Sequence, residues 1–175
     1  MIFRRYGFLF VLGAFLVLIA WQARTGIFRR ANSGEPANKY MRQVMDNPQL
    51  STADAEILRT QYGGAHANPS GLHYILRQPG EGPTPVPGTR VTVHYEGFLL
   101  DGTKFDSSRD KGQPLSFPVG MDRVIKGWDE ALLTMKKGEK RTLLIPWWLA
   151  FGEAGKGPVP KRATVRFEIE LIDFQ

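Results

Sequence analysis

Two stretches of strict alternation set the tightest limit on what this chain can fold into. Val91, Val93 and Tyr95 alternate with Thr92, His94 and Glu96. Near the end, Val165, Phe167, Ile169 and Leu171 alternate with Arg166, Glu168 and Glu170. Successive side chains on a strand point to opposite faces, so a period of two makes each stretch a strand with one buried and one wet face. Shorter apolar runs at residues 72–76, 115–119 and 142–145 read as further strands, and Asp101-Gly102 is a hairpin signal. One helical stripe interrupts them: Trp128, Ala131, Leu132 and Met135 fall at i, i+3, i+4 and i+7. That stripe must pack on something, and the sheet is the only large partner. The reading is α+β: an antiparallel sheet with one helix on one face.

The N-terminal part has a different character. Residues 6–23 carry no charge and are broken only by Gln22. At about 1.5 Å per residue such a helix spans roughly 27 Å, close to a hydrocarbon core of about 30 Å. Tyr6 and Trp21 sit near its ends, with Arg4 and Arg5 before it and Arg24, Arg29 and Arg30 after it. Amphipathic aromatics and basic flanks suit a membrane interface. A secretory signal would have a shorter apolar core and a small-x-small cleavage site. Trp21, Gln22 and the arginine after Ala23 fit such a site poorly, so an uncleaved transmembrane anchor is the better reading. The charges on the two sides nearly balance. An anchor with a short N-terminus inside would export the domain that follows; the alternative places it on the cytoplasmic face.

Residues 24–40 are polar and contain Asn32-Ser33-Gly34-Glu35-Pro36, a linker composition, and Asn47-Pro48 marks a turn. Ser51-Thr52-Ala53-Asp54 resembles a capping box that opens a short helix to about Gln61, with Ile57 and Leu58 on one face. Seven of the chain's basic residues and one acid lie in residues 1–42, and the remaining 133 residues hold 16 of each sign. The basic excess therefore belongs to the N-terminal segment, and nucleic-acid binding by the folded part is not expected.

Most familiar chemistries are excluded. With no cysteine there is no disulfide, thiolate metal site or cysteine nucleophile. His66, His73 and His94 show no metal spacing and read as solvated surface residues. Residues 152–157 lack the spacing of a phosphate loop, and Ser107 and Ser108 lack a nucleophile elbow. Asp101, Asp106 and Asp110 are interrupted by Lys104 and Arg109 and match no calcium loop. No metal and no cofactor are expected.

What remains is a set of aromatics in short loops beside one acid. They occur in Val93-His94-Tyr95-Glu96-Gly97, Phe105-Asp106-Ser107-Ser108, Val124-Ile125-Lys126-Gly127-Trp128 and Ala150-Phe151-Gly152. In this order and spacing they resemble the FKBP family of peptidyl-prolyl cis/trans isomerases, of a bacterial, membrane-anchored type. The resemblance runs over residues 69–174, and Pro69-Ser70-Gly71-Leu72-His73-Tyr74 is similar to the lead-in of bacterial members.

The resemblance implies a bent antiparallel sheet wrapped on one short helix, with the substrate proline in an apolar pocket between them. It implies catalytic roles for Tyr95, Asp106 and Phe151, with Asp106 an acid at the pocket wall held by Tyr95. It implies substrate contacts from Phe105, Leu115, Phe117, Val124, Ile125, Trp128, Val159 and Phe167. Trp128 would be the floor, and the Ile125 N–H would donate to a carbonyl of the bound chain. Two positions depart from the family: Leu115 stands where an aromatic is common, and Phe151 where tyrosine is usual. The missing hydroxyl removes a hydrogen bond worth about 0.5–1.5 kcal/mol, which weakens macrolide binding more than catalysis. The organisation expected is an anchor or signal at residues 1–28, a linker with a short helix at 29–68 and an isomerase domain at 69–175. Proline-containing polypeptides would be the partners. The alternative on the same fold is a non-catalytic chaperone or assembly module that only holds proline segments.

Overall fold

The computed structural model describes residues 50–175. The apolar run at 6–23, the polar stretch at 24–40 and the Asn47-Pro48 turn lie outside the described residues. Among the described residues no helix is long and apolar enough to cross a membrane.

Helix α1 (Thr52–Gln61) opens where the capping residues place it: the Ser51 hydroxyl accepts from the Asp54 N–H at 3.0 Å. Seven strands follow: β1 (His66–Ala67), β2 (His73–Gln78), β3 (Arg90–Leu99), β4 (Lys104–Ser107), β5 (Leu115–Pro118), β6 (Lys140–Ile145) and β7 (Val165–Phe174). They form one antiparallel sheet in the order β1-β2-β6-β7-β3-β4. The long β3 pairs with β5 over Arg90 to Val93 and with β4 over Glu96 to Phe98, so both short strands share one of its edges. Helix α2 (Lys126–Leu132) lies between β5 and β6 in the chain, and a 3-10 turn (Trp147–Leu149) follows β6.

The two alternating stretches are the centre of this sheet. Val93 stands opposite Leu171 and Tyr95 opposite Ile169. Their buried phases meet Trp128, Ala131, Leu132 and Met135 in one apolar core. Bulges interrupt β3 at Thr92/Val93 against β7 and at Gly97/Phe98 against β4. The extra residue lies on the partner strand in each case, Ile172 on β7 and Phe105 on β4, and adds local bend and twist there. Gly97 continues the inward phase of β3 but can bear no side chain there. A Cβ would lie 2.7 Å from the Phe167 ring and 2.8 Å from the Phe105 ring. The glycine is the space in which those two rings meet.

The structure differs from the sequence reading in three places. The stripe ending at Met135 suggests a longer helix than α2. The chain tightens after Leu132 through the Thr134 N–H to Ala131 and Met135 N–H to Leu132 carbonyl bonds, and Met135 is buried from the turn beyond. His73 is buried, not solvated, because β2 lies between β1 and β6 rather than at an edge. Its Nδ1 lies 2.9 Å from the Gly71 carbonyl, and burial pushes the imidazole below its ordinary pKa against that hydrogen bond. The stretch expected to be linker before residue 69 holds parts of the fold. The Asp54 carboxylate accepts from the Thr164 N–H at 3.3 Å, and β1 pairs with β2.

Candidate functional site

A cavity of about 750 Å³ opens between the sheet and the N-terminal end of α2. Alternation sends Tyr95 of β3 and Phe167 of β7 to its inner wall, and β4 adds Phe105 and Asp106. Val124 and Ile125 enter from the loop before α2, Trp128 from the first turn of α2, and Phe151 from the loop after the 3-10 turn. The rings interlock edge to face. Tyr95 and Trp128 are 4.8 Å apart at 70°, Trp128 and Phe167 5.1 Å at 80°, Phe105 and Phe167 5.5 Å at 88°, and Phe105 and Phe151 5.9 Å at 87°. Such pairs contribute about 0.5–1.5 kcal/mol each beyond their buried area, so the walls hold their shape without a ligand. Trp128 is only 4% exposed and forms the base of this set.

The acid in the wall is held on every side. The Tyr95 hydroxyl donates to Asp106 Oδ2 at 2.7 Å, and the Lys111 ammonium and the Ser107 N–H (2.9 Å) donate to Oδ1. Burial acts to raise the Asp106 pKa, but the bonds from Lys111 and Tyr95 outweigh it and hold the carboxyl below its ordinary value. Burial first, then Asp106, pushes the Tyr95 phenol up. At neutral pH the pair is therefore a fixed carboxylate and a neutral phenol, which can hold a dipole in place but has no proton to give. Ser108 completes the frame: its hydroxyl accepts from the Tyr95 N–H at 2.8 Å and is 3.0 Å from His94 Nδ1. Among the described residues no cluster of His, Cys, Asp or Glu could hold a metal ion.

Eight of the eleven residues anticipated from the sequence line this cavity: Tyr95, Phe105, Asp106, Val124, Ile125, Trp128, Phe151 and Phe167. Leu115, Phe117 and Val159 lie outside this lining. Leu115 is 39% exposed on β5, opposite Val93. Phe117 is buried and stacks on Trp128 at 6.0 Å and 29°, so it supports the floor without lining the cavity. Val159 is buried in the core, and its backbone pairs with Lys156 to close the loop beyond Phe151.

Two positioning residues escape a sequence reading. Asp129 is buried, and its carboxylate accepts from the Gly120 N–H at 2.7 Å and the Asp122 N–H at 3.0 Å. It thereby ties the loop that presents Val124 and Ile125 to the helix that presents Trp128. An acid in the first turn of a helix was the available signal, but it also fits ordinary dipole compensation. Trp148 lines the cavity and donates its indole N–H to the Ser70 carbonyl at 2.9 Å. Gly71, at φ +95°, admits it: a Cβ there would lie 2.7 Å from the indole. Glu130 fixes the same segment by accepting from the Asn68 amide and the Ser70 hydroxyl at 2.6 and 2.8 Å.

Comparison with known proteins agrees with this geometry. The family model described as FKBP-type peptidyl-prolyl cis-trans isomerase matches residues 82–172. The FK506-binding protein of Neisseria meningitidis serogroup A is 51% identical over 96 residues, covering 54% of this chain and 88% of that protein. FK506-binding protein 1A of Neurospora crassa is 50% identical over 107 residues, covering 60% and 89%. FK506-binding protein 2 of Debaryomyces hansenii is 55% identical over 88 residues, covering 50% of this chain. The match spans 65% of the length of that relative and 66% of its Aspergillus fumigatus counterpart. The crystal structure of AtFKBP13 superimposes with a TM-score of 0.62 at 39% identity, over 63% of this chain and 98% of that one. The chain belongs to the FKBP-type peptidyl-prolyl cis-trans isomerase family.

Proposed function

We propose that this chain accelerates cis/trans rotation about X–Pro bonds, with the proline ring seated on Trp128 in the aromatic cavity. The observation that carries the reading is the closed set of rings around a held carboxylate, with no nucleophile or general acid among them. Rotation about an amide crosses roughly 18–20 kcal/mol because resonance makes the C–N bond partly double. For X–Pro the end states differ by only about 0.5–1 kcal/mol, so the task is to lower a barrier between two populated states. The planar amide carries the larger dipole. Moving it from water into walls of Tyr95, Phe105, Trp128 and Phe167 therefore costs the ground state more than the twisted state. Walls shaped to the twisted form then favour it further. The Ile125 N–H at the mouth is suited to hold a carbonyl of the bound chain. Phe151 supplies the ring of its wall without a hydroxyl, so macrolides of the FK506 type would bind, but more weakly than where a tyrosine bonds them.

We also assign residues 6–23 as a membrane anchor, on the length of the uncharged run and its basic and aromatic flanks. The isomerase domain would face the exported side and act on proline-containing segments of polypeptides there. A protease-coupled assay on a Leu-Pro peptide tests the activity: acceleration by wild type, and its loss in a Trp128→Ala variant that still melts cooperatively, are the expected results. A folded chain that binds the peptide without acceleration would instead be a holding module.

A further inference from the structure

The mouth of the cavity carries charges that the isomerase reading does not use. Besides Asp106, its lining includes Asp122, Arg123, Lys126 and Lys156. Asp106 is already engaged by Tyr95 and Lys111. Arg123, Lys126 and Lys156 are exposed, and among the described residues none of them has a carboxylate partner. Elsewhere on the surface basic side chains face acids: Lys104 with Asp110, Arg109 with Glu170, Lys137 with Asp173. The three cations come from two separate parts of the chain. Arg123 and Lys126 bracket the Val124-Ile125 wall, and Lys156 belongs to the loop beyond Phe151 that the Lys156–Val159 backbone pair closes. Asp122, with no cationic partner among the described residues, is the opposing acid. The excess is local, since residues 43–175 hold 16 basic and 16 acidic side chains and create no general positive field.

A solvated charge at a rim is ordinary, but three unpaired cations of one sign around the opening of an apolar cavity act on whatever flanks the bound residue. The cavity is apolar and takes the proline ring. An extended chain advances roughly 3.3–3.6 Å per residue, so side chains within two residues of the ring lie within about 7 Å of it, a span comparable to the reach of the rim charges. That is inside the screening distance of about 8 Å at physiological salt. We infer that the site selects proline segments carrying an acidic side chain within two residues of the proline, through Arg123, Lys126 and Lys156. The inference rests on the cavity being the proline site proposed above.

The test uses the full chain in non-ionic detergent and a Leu-Pro peptide set. Glu, Gln or Lys is placed one position before the leucine or two after the proline. Exchange NMR gives kcat/KM for isomerisation, and tryptophan fluorescence titration gives Kd for the same peptides. At low ionic strength the Glu peptides are expected to exceed the Lys peptides by roughly five- to tenfold in both readouts, with the ratio falling toward one in about 0.5 M salt. Replacing Arg123, Lys126 and Lys156 together with Gln should bring the ratio toward one, and Asp122→Asn should raise it. If neutral peptides are turned over but the Glu and Lys peptides agree within about twofold at low salt, the charge selection is wrong and the isomerase reading stands. If the Glu peptides bind more tightly and none is turned over, the selection stands and the catalytic reading fails. A preference for Lys peptides, or binding of none of the set, overturns the inference.

Discussion

The Tyr95–Asp106 bond is the polar joint of an otherwise apolar cavity, and its contribution can be isolated. The phenol donates to a carboxylate oxygen at 2.7 Å, a charge-assisted bond of a class worth about 1.5–3 kcal/mol. The Asp106 side chain is 37% exposed, so water competes for it and the lower end, about 1.5 kcal/mol, applies. Asp106→Leu alone would overstate this, because it also strips Lys111 and the Ser107 N–H of their acceptor. A double-mutant cycle with Tyr95→Phe removes those side effects, since they accompany Asp106→Leu whether residue 95 is Tyr or Phe. Urea unfolding of the four proteins should give a coupling of about 1–2 kcal/mol, with kcat/KM lowered up to about tenfold in Asp106→Leu. A coupling within about 0.5 kcal/mol of zero would show the two side chains to be independent and refute the account of the acid as a fixed element of the wall.

Three further outcomes follow from the same structure. Phe151→Tyr restores a hydroxyl at the cavity and should tighten macrolide binding by about two- to tenfold in calorimetry, one hydrogen bond's worth, while activity is equal or higher. His73 is buried with its pKa depressed, so the folded state binds its proton less readily than the unfolded chain. The resulting stability is fully present above about pH 6.5 and declines as pH falls through that value toward the folded pKa. Melts from pH 8 to 5 should record the decline, and His73→Gln should flatten it. The full chain should stay with membranes through high salt and carbonate, whereas a chain beginning near Ala31 should be soluble; recovery of N-terminally processed protein in the soluble fraction would overturn the anchor.

The sequence disclosed the centre of this fold better than its margins, for physical reasons. Strands β3 and β7 bury one face each, so their period is written in the residues. Strand β1 is two exposed residues held by backbone pairing with β2, which leaves no side-chain pattern. Phe117 was recognisable as apolar, but whether it lines the cavity or supports Trp128 depends on the packing of β5 against α2. Leu115 shares the phase of Phe117 two residues earlier, but at the start of the strand it is left 39% exposed. Asp106 stood out as one acid among aromatics, and its pairing with Tyr95 was implied by the family resemblance. Lys111, which holds the other oxygen of Asp106, is five residues along the chain and returns through a turn that no local pattern announces. Trp148 and Asp129 owe their roles to partners far away in sequence or to a loop's backbone, and neither residue type signals that by itself.

The most direct test of the central claim is exchange NMR on a Leu-Pro peptide with substoichiometric protein, with and without a saturating macrolide. The account predicts cis/trans exchange well above the uncatalysed rate, needing neither metal nor cofactor, and suppressed when the macrolide fills the cavity. Exchange at the uncatalysed rate in the presence of folded protein, or catalysis that the macrolide leaves untouched while bound, would contradict it.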